Sequence, residues 1–226
     1  MNTRGAMINS EQKNIIDLVS AQVRTRFETD GSGHDFEHVQ RVFNTAVHIA
    51  TDENADVFIV SLAALVHDLG DYKLSADGKE NHRDAISAVL LNCGVSADDC
   101  HQVIDIVEKV SFKGNAVLDA PMTTEGKCVR DADRLDAMGA IGVARAFAYG
   151  ALKKRKMFDP DSKPAVHNSF DAYQKNEGHT INHFYEKLLL LKDRMETASG
   201  RAMAEDRHQF MLHFLDQFSG EWSGLK

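Results

Sequence analysis

Apolar residues recur along this chain at helical rather than alternating spacing. Ile15, Val19, Val23 and Phe27 follow one another four apart, and Val39, Val42, Phe43, Ala46, Val47 and Ala50 make a second stripe of 3.6-residue period. Both stretches are predicted amphipathic helices. From Val57 to Val66 polar residues almost vanish, Ser61 being the exception. This predicts a helix buried on nearly every side, capped by Asn54 and running to Leu69, with Gly70 available at its C-terminal end. Asn81 to Asn92 reads as a short helix closed by Gly94, and Ser96 with Asp99 three residues on resembles a capping box ahead of Val103, Ile104, Val107 and Val110. Val129, Ala132, Leu135, Met138, Ile141 and Ala144 predict one long helix from Gly126 to Tyr149, and Ile181–Thr197 and Arg201–Phe218 complete the set.

No strand-like alternation is sustained, and Asp77-Gly78 lies between polar stretches rather than between β-branched runs, so the predicted fold class is all-α. The three prolines, Pro121, Pro160 and Pro164, leave long stretches without an obligatory helix breaker. Only Met157 to Thr180 lacks periodicity, which suggests a lid, an excursion from the domain, or short helices with no clear signature.

Composition narrows the class. The chain has 226 residues, 43% of them hydrophobic and 27% charged, with a formal net charge of −8. These values suit a globular protein and oppose one that coats a nucleic acid polymer or an anionic membrane. The longest nearly apolar run falls far short of the roughly 20 residues that span a bilayer. Met1 to Ser10 lacks the apolar segment of a secretory signal, and Cys93, Cys100 and Cys128 form no CxxC pair, so a reducing, cytoplasmic compartment is expected. A small anionic substrate stays open, because a cation with two or three Lys or Arg makes a local positive field that distant carboxylates do not cancel.

Eleven histidines in an acidic chain invite a search for metal-ligand spacing. Three segments stand out: His34-Asp35-Phe36-Glu37-His38-Val39-Gln40-Arg41, Leu65-Val66-His67-Asp68-Leu69-Gly70-Asp71, and Arg130-Asp131-Ala132-Asp133-Arg134-Leu135-Asp136. His38 and Arg41, three apart on one helical face, would set a guanidinium beside any anion held at His38. His67 and Asp68 end the most apolar helix, where an ionised carboxylate is costly unless paired or coordinated. A plainer account has Asp68 bonded to an arginine and His67 as a satisfied core histidine. His179 and His183, four apart, are the remaining pair at such spacing, and no dinuclear site is indicated. Lys153-Lys154-Arg155-Lys156 ends a helix, where cations suit the C-terminal dipole.

An H…HD…D pattern on an α-helical chain resembles the HD-domain superfamily of metal-dependent phosphohydrolases, in particular a small bacterial subgroup implicated in nucleotide pyrophosphohydrolysis. The resemblance extends over most of the chain and implies a single HD domain across 1–226, with its metal core at about 30–150 and C-terminal helices at about 180–220. It implies that His38, His67, Asp68 and one aspartate of Asp131-Ala132-Asp133 hold one divalent ion. Asp133 is preferred, because Ala-Asp-Arg-Leu is similar to the segment that supplies the last ligand in related alarmone hydrolases; Asp131 is the alternative. Such a donor set suits a transition ion, manganese first, with iron, cobalt, nickel or zinc as the others. Asp71, three residues after Asp68, is the candidate general base, with capping beside Gly70 as its structural alternative. Arg41 and Lys113 are candidate phosphate clamps, Lys73 a weaker one, and His34 and Asp35 candidate supports for the ligands. The expected partner is a small phosphorylated molecule, a nucleotide foremost, and a homodimer is compatible with the pattern. Two other classes fit the same motif: a di-iron oxygenase, which needs further His or carboxylate ligands, and a non-catalytic nucleotide-binding module.

Overall fold

The computed structural model describes residues 8–28, 36–69, 82–110, 119–165 and 178–226, and every regular element among the described residues is helical. In chain order these are α1 (Ser10–Glu28), α2 (Phe36–Asp52), α3 (Val57–Val66), α4 (His82–Asn92), α5 (Ala97–Val110), α6 (Thr124–Asp136), α7 (Gly139–Leu152), α8 (Thr180–Glu186) and α9 (Ala198–Trp222). Two single 3₁₀ turns, Leu188–Leu190 and Lys192–Arg194, link α8 to α9. The chain divides into two compact units, Met1–Ser111 with Ala120–Ala132, and Phe112–Asp119 with Asp133–Lys226. The division falls inside α6, a continuous helix.

In the first unit α3 is the central element. Residues Phe58 to Val66 are all buried, and α1, α2 and α5 pack on it. The predicted stripes are the faces they bury: Val19, Val23 and Phe27 from α1; Val39, Val42 and Ala46 from α2; Val103, Ile104 and Val107 from α5. Each such side chain contributes about 1.5–3 kcal/mol when removed from water. The cap of α3 is Asp56 rather than Asn54: its carboxylate accepts from the N–H groups of Phe58 and Ile59 at 2.9 and 3.2 Å. Asn54 instead takes a left-handed conformation, φ 55°, just past the end of α2. The expected start of α5 is found, with the Ser96 hydroxyl accepting from the Asp99 N–H at 3.1 Å.

In the second unit α7, α8 and α9 bury an aromatic cluster. Phe184 and Phe214 stack with centroids 5.9 Å apart, and Phe147 meets Phe214 edge-on at 5.9 Å. The single helix predicted from Gly126 to Tyr149 is two: α6 ends at Asp136 and α7 begins at Gly139, whose φ of +66° turns the chain through a conformation open to glycine. Ile181 to Thr197 is also not one helix. Leu188 opens a single 3₁₀ turn and Leu191 follows it, and both are buried. The aperiodic segment after Met157 shows no helix over its described residues up to Ala165; residues 166–177 lie outside the described set.

Candidate metal centre

Helix α2 places His38 in its first turn, on the buried face beside Val39 and Val42. Helix α3 stops at Val66, so His67 and the turn residue Asp68 project from its C-terminal end, where the helix dipole favours positive charge. His67 Nδ1 lies 2.8 Å from the Ala64 carbonyl oxygen, an acceptor only. The ring therefore donates from Nδ1 and presents the lone pair of Nε2. That Nε2 is 3.3 Å from His38 Nε2, with the rings edge-on at 5.2 Å between centroids. The Asp68 carboxylate closes the group, Oδ2 3.3 Å from His38 Nε2 and Oδ1 3.5 Å from His67 Nε2.

Helix α6 carries Asp133. Its first nine residues belong to the first unit, and Asp133 follows Ala132 on the same helix. A ligand atom from each of His38, His67 and Asp133 lies within 4.8 Å of the others. Donor atoms around one first-row ion at bond lengths near 2.1 Å stand about 3.0–3.4 Å apart, so the two imidazoles and Asp68 already approach that spacing. The residues fit a divalent cation in chemistry as well, since convergent imidazole lone pairs and carboxylates attract one and each other poorly. Both histidines are 5% exposed, which excludes most competing water.

Arg41 is half-buried on α2, one turn after His38. Asp131 is fully buried, and Asp136 is paired with Arg145. Asp71, Lys113, Lys73, His34 and Asp35 lie outside the described residues. His179 caps α8, its Nδ1 accepting from the Asn182 N–H at 3.2 Å. Burial, with the charges of Lys187 and Arg155, pushes the His183 imidazole down to about 3. Neither belongs to a metal-ligand group among the described residues.

Sequence reasoning missed the arginines that frame Asp133. Arg130 is 1% exposed and donates from one terminal nitrogen to the carbonyls of Lys109 and Ala120 at 2.8 and 3.0 Å. Arg134, also buried, pairs with Asp119 at 2.6 Å, and Arg194 meets the same carboxylate at 2.8 Å. Burial pushes Asp119 upward, but the hydrogen bonds and charges of Arg134 and Arg194 outweigh it and hold the carboxyl below its usual range. The available signal was an arginine set among Val129, Ala132 and Leu135, all buried.

Comparison with known proteins gives a consistent picture. Residues 35–138 match the HD domain family. The chain is 40% identical over 212 residues to the Bacillus subtilis protein YpgQ, described as uncharacterized, covering 90% of this chain and 94% of that one. A crystal structure of Bacillus subtilis YpgQ in complex with ADP superposes with a TM-score of 0.76 at 36% identity, covering 93% and 96% of the two chains. A Bacillus thuringiensis protein described as an HD-superfamily hydrolase gives 0.76 at 37% identity, covering 94% and 98%.

Proposed function

The chain belongs to the HD-domain superfamily, and from that premise we propose that it is a divalent-metal-dependent phosphohydrolase acting on a nucleotide or a similar small phosphorylated metabolite, with the whole chain serving as one HD domain. The observation that carries this reading is the approach of ligand atoms of His38, His67 and Asp133 to within 4.8 Å of one another, with the Asp68 carboxylate 3.3 Å from His38 and 3.5 Å from His67. The ADP held by YpgQ supports the nucleotide class.

In this reading those four side chains hold one transition ion, manganese foremost. When bound, the ion lowers the pKa of a coordinated water towards about 7 and stabilises charge developing on phosphoryl oxygens. The chain's own residues do the rest. Asp68 and Asp133 offset the positive charge, so the centre binds an anion without becoming strongly cationic. Asp71 accepts the proton of the attacking water. Arg41 and Lys113 hold the phosphate, Arg41 from the helix that carries His38. The nucleoside triphosphate reading, with monophosphate and pyrophosphate as products, is the finer form of the proposal.

A panel of nucleoside mono-, di- and triphosphates incubated with Mn²⁺-loaded protein tests it, with orthophosphate and pyrophosphate measured separately. Metal-dependent release is expected, pyrophosphate from triphosphates marking the finer form, and Asp68→Ala is expected to lose both the ion and the activity. Tight nucleotide binding with no turnover in the loaded protein would make it a binding module instead. Two metal equivalents per chain with oxygen uptake would favour the oxygenase.

A further inference from the structure

A fully buried arginine is an expensive way to fill space. Desolvating a guanidinium costs several kcal/mol, and an apolar side chain of similar volume often stabilises a core as well or better. What the charged fork adds is direction: its hydrogen bonds fix where the backbones it touches must lie. Arg130 uses one terminal nitrogen to hold two main-chain carbonyls. The Lys109 carbonyl belongs to the last turn of α5, where the helix leaves acceptors without an intrahelical donor and the dipole favours a cation. The Ala120 carbonyl stands on the lead-in to α6 itself.

Helix α5 packs on α3, the helix whose end presents His67 and Asp68. Arg130 stands on α6 one turn before Asp133, and residues three apart are neighbours on a helix surface. The guanidinium thus ties the helix that carries Asp133 to the one seated against the His67-Asp68 helix. We propose that Arg130 is a positioning residue for the metal centre: it sets the rotation and axial register of α6 so that the Asp133 carboxylate meets the ligand atoms of His38 and His67. This rests on the reading of the centre given above, but it concerns metal affinity and not the reaction catalysed.

The test compares Mn²⁺ dissociation constants of the full-length wild type, Arg130→Gln and Arg130→Lys, with Val23→Ala as a control that thins the core on α1, a helix that supplies none of the proposed ligands. Circular dichroism reports folding and Tm for each. Supporting residues of metal ligands alter affinity by about 10–100-fold, and a rise of that size is expected for the glutamine variant. The lysine variant, which keeps the charge and reaches one carbonyl, should fall between it and wild type, and it carries the test if the glutamine form does not fold. Val23→Ala should lose Tm and keep the wild-type constant. Wild-type affinity in both Arg130 variants, or equal weakening in Val23→Ala at matched loss of Tm, overturns the assignment. A wild type that binds no divalent ion overturns the centre itself, whereas one that binds the ion without hydrolysing nucleotides leaves the Arg130 comparison intact and overturns only the activity.

Discussion

His67 shows how one side chain acquires a defined role. Its proton is committed to Ala64 within its own helix, so the second nitrogen has a lone pair to offer and one direction in which to offer it. Asp133 and Asp131 are two apart on α6 and so point to different sides of the helix, and only Asp133 joins a ligand group among the described residues. Asp133→Asn is therefore expected to lower bound metal measured by elemental analysis, and Asp131→Asn to leave it near wild type while reducing Tm. His183 makes a separate prediction. Its folded pKa of about 3 lies well below the ordinary value near 6.5, so below pH 6.5 the unfolded chain takes up a proton that the native chain refuses. Stability from this residue is level above that pH and falls progressively towards pH 3. His183→Gln should remove about one proton's worth of that slope in denaturant titrations across the window. The two ends of the proposed ligand set stood out in the sequence for different reasons: His67-Asp68 because a polar dipeptide ended an apolar run, Asp133 only through resemblance, since spacing alone left Asp131 equal. For Arg130 the only sequence signal was its place among Val129, Ala132 and Leu135, since the main-chain carbonyls it holds carry no residue-specific mark.

At the scale of elements, the stripes of α1, α2 and α5 were legible because each buries one face and exposes the other. The α6–α7 corner was not, because the apolar spacing runs through it unchanged. The buried positions nevertheless switch from Val129, Ala132 and Leu135 before the corner to Gly142 and Gly150 after it, and Ile141 is 44% exposed. Gly142 explains the sharpness of the turn. A Cβ there would sit 2.2 Å from the Ala137 carbonyl oxygen, a backbone atom no rotamer change can move. Gly142→Ala should cost about 1–3 kcal/mol, with a Tm loss of roughly 2–4 °C for each, measured by thermal unfolding. The boundary of α3 was missed by two residues because Asn54 and Asp56 are both good caps, and the left-handed turn at Asn54 uses it for ending α2.

For the whole molecule, the all-α class followed from period alone, and no described helix is long and apolar enough to cross a membrane. The proposed centre draws on residues far apart in sequence, so an ion that binds it stabilises the folded chain and not the unfolded one. By mass action, Mn²⁺ at a hundredfold excess over its dissociation constant should add about 2.7 kcal/mol, and chelation should remove it, seen as a fall in Tm of several degrees. Asp68→Ala should abolish that difference.

The bond from His67 to Ala64 has an evolutionary corollary. Because a main-chain oxygen orients this imidazole, side-chain replacement at position 64 leaves the orienting atom in place, and selection has one fewer knob for adjusting the ligand's basicity. Divergence among such chains at position 64 should then leave the His67 arrangement intact through sequence drift.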